Sequence, residues 1–293
     1  MIIANLQQRM LAQNGLNGLA AHLHVKIKDA ERQNVSGMSR LSTWLLRQNP
    51  FHGMKNLPLP RNQPNASEAV RKKMNPPAML KYTRENPSPR FLELQDMYKT
   101  MHTQGDPTIG LGAEQTFDGQ SLMDFVLLLQ NVFRSMGIRS VLDYGCGKAV
   151  VHKMARQTLQ SGVVLQGTQS IWGVKAITLY DPGYEPYSAF PKGTFDAVIC
   201  TDVLEHIPEE DIPWILEEIF SFAERFVFMT VALYPAAKSL PNGENAHITL
   251  KSVGWWSDLI EETAKRHPNK AYTVPLMYSW KGGRRVILNG QTG

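Results

Sequence analysis

Only two cysteines, Cys146 and Cys200, occur among the 293 residues. That excludes a disulfide-stapled scaffold and a cysteine-rich zinc module. No apolar run approaches the roughly 20 residues needed to cross a bilayer, so no transmembrane segment is expected. The N-terminus lacks a charged start followed by an apolar block, and no secretory signal is read there. Acidic residues are scarce in one region. Residues 1–90 carry 4 Asp/Glu (Asp29, Glu31, Glu68, Glu85) against 14 Lys/Arg, and the remainder carries 22 against 17. The net charge of +5 thus divides into +10 and −5, a basic arm on a mildly acidic domain. A reduced, cytoplasmic protein with a sizeable core is expected.

The arm also lacks sustained periodicity. Pro50, Pro58, Pro60, Pro64, Pro76, Pro77, Pro87 and Pro89 break any helix between residues 50 and 90. Residues 2–12 and 39–47 have the spacing of short helices, the second with Leu41, Trp44 and Leu45 on one face. The arm, residues 1–90, reads as a solvated, partly disordered extension. Its charge also suits nucleic acid or an anionic surface. The acid-free first 28 residues also suit an organellar presequence. Arg71-Lys72-Lys73 is a solvated charge run or a phosphate contact.

Residues 91–293 read as the folded domain. The spacing predicts a helix over 120–136 ended by Gly137, a strand over 139–145, a helix over 148–160 and a strand over 176–182. A strand at 195–200, a helix at 209–223, a strand at 225–233 and a helix at 252–266 follow. The segments 271–280 and 284–289, joined by Lys281-Gly282-Gly283, read as a closing hairpin. Strands alternating with helices indicate a mostly parallel α/β sheet with an antiparallel end. Ser161–Val174 is expected to be an insertion or a long loop.

Three motifs carry chemistry. In VLDYGCGKA (141–149) a strand ends in Asp143 and passes through Gly145-Cys146-Gly147 into a helix. Glycines let a ligand approach the backbone, and a helix N-terminus offers free N–H groups. Asp181, closing the next strand, is placed to accept ribose hydroxyls or to form an Asp-Pro-Gly turn. In FDAVICTDVLEHIPEEDI (195–212) a helical turn begun at Asp202 sets Asp202, Glu205 and His206 toward one point. Two carboxylates and an imidazole suit Mg²⁺ or Mn²⁺, or a general base for a hydroxyl. They also suit caps of local structure.

In order, VLDYGCG, LYDPG and FDAVICTDVLEHIP resemble the class I S-adenosylmethionine-dependent methyltransferases over residues 120–293. The resemblance implies a Rossmann-like seven-stranded sheet with helices on both faces and an antiparallel last strand. It implies S-adenosylmethionine held by Asp143, Gly145 and Gly147 at its methionine end and by Asp181 at its ribose. Cys146 lies in the same loop, as a cofactor neighbour or a small packing residue. Asp202 and the residues after it would face the substrate. Lys148-Ala149 replaces the family's third glycine, and little room is left between Asp181 and Phe195 for its third strand. Asp202-x-x-Glu205-His206 is similar to the acid-acid-His cluster of ubiquinone-pathway O-methyltransferases and small-RNA 2′-O-methyltransferases. That similarity implies a metal held by Asp202, Glu205, His206 and His247.

The resulting expectation is O-methylation of a small molecule, glycan or lipid precursor, with His206 as base and Asp202 and Glu205 as substrate or metal contacts. RNA methylation using the basic arm is the alternative. A non-catalytic binding protein on the cofactor fold is another, motivated by Lys148. Trp255 and Trp256 are stacking candidates, one of them expected in the core. Phe91, Tyr82 and Tyr98 are candidates for a lid.

Overall fold

The computed structural model describes residues 80–279 and 284–292. Helix α1 (Pro89–Gln104) comes first. Ser88 caps it by accepting from the Phe91 N–H, and Pro89 takes the first position, where a missing N–H costs nothing. Three 3-10 turns, the last at Gln120–Phe125, lead to α2 (Val126–Met136), which Gly137 ends in the left-handed region. Next come β1 (Ser140–Tyr144), α3 (Val150–Met154) and a small antiparallel hairpin of β2 (Arg156–Thr158) and β3 (Val164–Gln166). After α4 (Thr168–Trp172) run β4 (Ala176–Tyr180), β5 (Phe195–Thr201), α5 (Ile212–Phe222) and β6 (Ala223–Ala232). The described chain closes with α6 (Val253–Lys265), β7 (Ala271–Met277) and β8 (Arg285–Gln291).

The main sheet has the order β4-β1-β5-β6-β7-β8, parallel throughout except for β8. Among the described residues it has six strands rather than the expected seven. The reason lies between Asp181 and Phe195: Pro182, Pro186 and Pro191 remove ladder donors, and Glu185–Tyr187 forms a 3-10 turn. Strand β4 therefore remains at the edge. The expected helix over 148–160 stops at Met154, because Ala155 turns extended and the chain enters the β2–β3 hairpin. The insertion read at 161–174 supplies β3 and α4.

Alternation of side chains builds two cores. Leu142, Val198, Val227 and Met229 join Ile215, Ile219, Trp256 and Ile260 of α5 and α6 in one cluster. On the other face Phe228 meets Phe125 at 5.1 Å, and Phe133 meets Phe226 at 6.4 Å and Trp172 at 5.2 Å. Each such large apolar side chain contributes roughly 1.5–3 kcal/mol by leaving water. Trp256 is core, while Trp255 is half-buried with the Lys251 ammonium 5.6 Å from its ring.

Residues 80–90, read as the end of the arm, lie along α5. The Arg84 guanidinium pairs with the Glu218 carboxylate and donates to the Tyr144 and Tyr180 hydroxyls, at 3.1 Å each. The Ser88 N–H donates to Asp211 Oδ1 at 3.0 Å. The helices read at 2–12 and 39–47, the Arg71–Lys73 run and the hairpin link 281–283 lie outside the described residues. No described helix is long and apolar enough to cross a membrane.

Candidate active site

The five parallel strands end on one edge of the sheet, and the loops there gather the candidate residues. After β1, Gly145 and Gly147 take φ of 78° and 55°, where an L side chain is strained. Neither has room for one. A Cβ on Gly145 would lie 2.4 Å from Val203 Cγ2, and one on Gly147 would lie 2.1 Å from the Phe117 carbonyl oxygen. The protein itself occupies the loop's donors. Gly145 and Cys146 donate to the Tyr180 carbonyl at 2.7 and 3.1 Å, Lys148 to Phe117 at 2.7 Å and Val150 to Asp118 at 3.0 Å. Gly147 donates to Asp181 Oδ2 at 2.8 Å. The expected free N–H groups are therefore already engaged, and α3 spans only five residues.

What remains at this end is acceptor capacity. Asp143 Oδ2 accepts from His152 Nε2 at 2.7 Å, but Asp143 Oδ1 is buried without a hydrogen-bond partner. Asp181 accepts from Gly147 and from Gly183, both at 2.8 Å, and burial raises its pKa. Lys148 points inward, donating to the carbonyls of Thr116 at 3.0 Å and His102 at 3.2 Å and to His102 Nδ1 at 3.2 Å. It thereby ties α1 to the glycine loop. His102 is stacked on Tyr184, with Nε2 3.8 Å from Asp181 Oδ1. Burial, then the Lys148 charge, lowers the His102 pKa to about 4. Burial pushes the Cys146 thiol up, which agrees with a packing residue.

The ends of β5 and β6 are built differently. Asp202 has φ of 61°, its N–H donates to Thr230 Oγ1 at 3.0 Å, and its Oδ2 accepts from Ser121 Oγ at 2.9 Å. Phe117 and Ala149, at φ 50° and 54°, lie at the neighbouring loop, so non-glycine backbone strain gathers on this edge. The turn begins at Leu204 rather than at Asp202. His206 Nδ1 lies 2.9 Å from the Ala246 carbonyl oxygen and 2.8 Å from the Tyr98 hydroxyl. A carbonyl only accepts, so Nδ1 carries the proton and the neutral ring keeps its lone pair on Nε2. His247 is held the same way, Nδ1 donating to the Tyr234 carbonyl at 2.6 Å. Burial lowers the His206 pKa to about 4, Asp202 opposing, and the ring is neutral near pH 7.

Asp202, His206 and His247 each offer a ligand atom, all within 4.8 Å of one another. Glu205 is not of this group. Its side chain is fully buried and accepts from the Ala232 N–H, and burial together with the Asp202 charge drives its pKa well up. Asp202 is left-handed rather than helical, and Glu205 interacts with the Asp202 side chain from a fully buried position. Sequence reasoning missed His102 as a neighbour of Asp181, Ser121 as the partner of Asp202, and Tyr234 as the anchor of His247. Tyr98, proposed there as a lid residue, holds His206 instead. All four partnerships join positions distant in sequence, and only Tyr98 left a signal.

Among the donors of S-adenosylmethionine are an ammonium group and ribose hydroxyls. The dry oxygen of Asp143 and the Asp181 carboxylate suit them. Two imidazoles with protons fixed on Nδ1 and one carboxylate suit a divalent cation. A mostly parallel α/β sheet with these acids at the ends of its first two paired strands has the architecture of a class I methyltransferase. A family model described as a methyltransferase domain matches residues 113–271, more than half of the chain, which therefore belongs to that family. It is a methyltransferase enzyme, and the family implies S-adenosylmethionine as donor. No curated protein and no solved structure matches the chain.

Proposed function

We propose that the enzyme methylates a hydroxyl oxygen of a small molecule, glycan or lipid precursor, with His206 as the base. The observation that supports this most is the contact of His206 Nδ1 with the Ala246 carbonyl, which leaves Nε2 as the acceptor of a ring clustered with Asp202 and His247. An oxygen nucleophile must lose its proton as it attacks the sulfonium methyl, and His206 Nε2 takes that proton. Asp202 carries the charge that favours the resulting imidazolium. Asp143 and Asp181 hold the ammonium and ribose of the donor, so positioning supplies much of the rate.

Asp202, His206 and His247 fit a divalent cation without Glu205, and the imidazoles favour Mn²⁺ over Mg²⁺, which prefers oxygen ligands. When bound, such an ion would take up the His206 lone pair and would itself lower the pKa of the hydroxyl, in place of the base. The test is transfer of labelled methyl groups from S-adenosylmethionine into a cell extract, fractionated afterwards, with and without EDTA. Label in the small-molecule or lipid fraction, absent with His206→Ala, supports the proposal. Label in RNA alone assigns the enzyme to RNA and gives the basic arm a purpose. No label in any fraction overturns O-methylation. EDTA sensitivity decides whether the ion takes part.

A further inference from the structure

Four lysines among the described residues are not exposed: Lys148, Lys238, Lys251 and Lys270. Three of them have oxygen partners. Lys148 donates to two carbonyls, Lys251 pairs with Glu209, and Lys270 donates to the Ala223 carbonyl. The Lys238 ammonium lies 4.6 Å from the centre of the Phe117 ring, with no carboxylate at ion-pair distance among the described residues. A half-buried cation with only an aromatic face for company forfeits hydration without a matching anion. Asp202, Asp118 and Asp106 act on it only from beyond ion-pair distance, while burial pulls its pKa down.

Its position is fixed by the site. The Ala246 N–H donates to the Lys238 carbonyl at 3.1 Å, so the Lys238 loop runs beside the segment that carries His247. The Phe117 ring beneath the ammonium is 5.4 Å from Tyr98, whose hydroxyl contacts His206 Nδ1. The ammonium thus lies on the Phe117 ring, one ring away from Tyr98, and its charge is felt at His206. The Phe117 backbone is held at φ 50° with its carbonyl bonded to the glycine loop, and its ring packs on Tyr98 and His102.

We propose that Lys238 receives the anionic group of the acceptor, so that the methylated hydroxyl belongs to an aryl hydroxy acid. The cation supplies the counter-charge, and the rings supply the walls for a planar body. The inference deepens the O-methylation reading and rests on it for the identity of the site.

The test is calorimetric titration of the full chain, saturated with S-adenosylhomocysteine, using 3-hydroxybenzoate and its uncharged counterpart 3-hydroxybenzamide. The acid is expected to bind about tenfold or more tightly than the amide. Lys238→Met brings the acid to the affinity of the amide, and Lys238→Arg keeps the preference, which separates charge from misfolding. Equal affinities, failure of both probes to bind, or a preference that survives Lys238→Met overturns the proposal. So does weakened S-adenosylhomocysteine binding by Lys238→Met with the acid preference intact, which would assign the cation to the cofactor's carboxylate. If S-adenosylhomocysteine does not bind the wild-type chain, the methyl-transfer reading fails, and the acid-to-amide comparison is then made on the chain without it.

Discussion

The two halves of the active edge treat their polar groups in opposite ways. At the ends of β1 and β4, the backbone donors of the glycine loop are spent on Tyr180, Asp181, Phe117 and Asp118, and a carboxylate oxygen on Asp143 is left over. At the ends of β5 and β6, backbone carbonyls engage Nδ1 of two imidazoles that cluster with Asp202, so that Nε2 of each ring is left as its acceptor. The first half is a closed scaffold that offers acceptors to a cationic donor. The second presents bases to whatever proton or metal arrives. On the proposed function, one parallel sheet separates holding the cofactor from activating the acceptor.

That division is broken most severely at the base. His206→Ala is expected to lower kcat by roughly 10²–10⁴-fold, measured as labelled methyl transfer, because the proton acceptor is lost. On the scaffold side, Gly147→Ala is expected to cost roughly 2–4 kcal/mol in denaturant unfolding, from left-handed strain plus the clash with the Phe117 carbonyl.

Acid sharpens the contrast in a third way. The folded-state pKa of His102, about 4, lies below its ordinary 6.5, so the unfolded chain takes the proton first as pH falls. The contribution of His102 is whole above pH 6.5 and is lost as pH falls toward 4, by at most about 3 kcal/mol. Thermal unfolding across this window should be less pH-dependent in His102→Gln than in the wild type. The smallest effect is expected at Glu205. Its carboxyl is driven toward the neutral form, so Glu205→Gln should change stability by less than about 0.5 kcal/mol. Glu205→Ala, which strands the Ala232 N–H, should cost about 1–3 kcal/mol in the same measurement.

The sequence made the scaffold half more legible than the chemical half. VLDYG and FDAVIC are apolar runs bounded by glycine or acid, and such runs announce buried parallel strands. Helix α1 was hidden by Pro87 and Pro89, read as breakers although Pro89 sits at the helix start, and by its weak apolar stripe, with only Leu94, Met101 and His102 buried. Asp202, His206 and His247 were legible as residue types at suggestive positions. Glu205 looked equivalent to them, because its burial and its bond to the Ala232 N–H depend on a strand 27 residues away. Lys148 was legible as a departure from the loop pattern, but its partners Thr116 and His102 are 32 and 46 residues away. Lys238 carried no local signal, since its meaning depends on the carboxylate it does not meet.

Binding of S-adenosylhomocysteine to Asp181→Ala and His206→Ala, titrated by calorimetry beside the wild type, tests the division most directly. The account predicts a loss of roughly 10–100-fold for Asp181→Ala, the worth of charge-assisted hydrogen bonds to the ribose, and near wild-type affinity for His206→Ala. Full affinity in Asp181→Ala, or a comparable loss in His206→Ala, would contradict it.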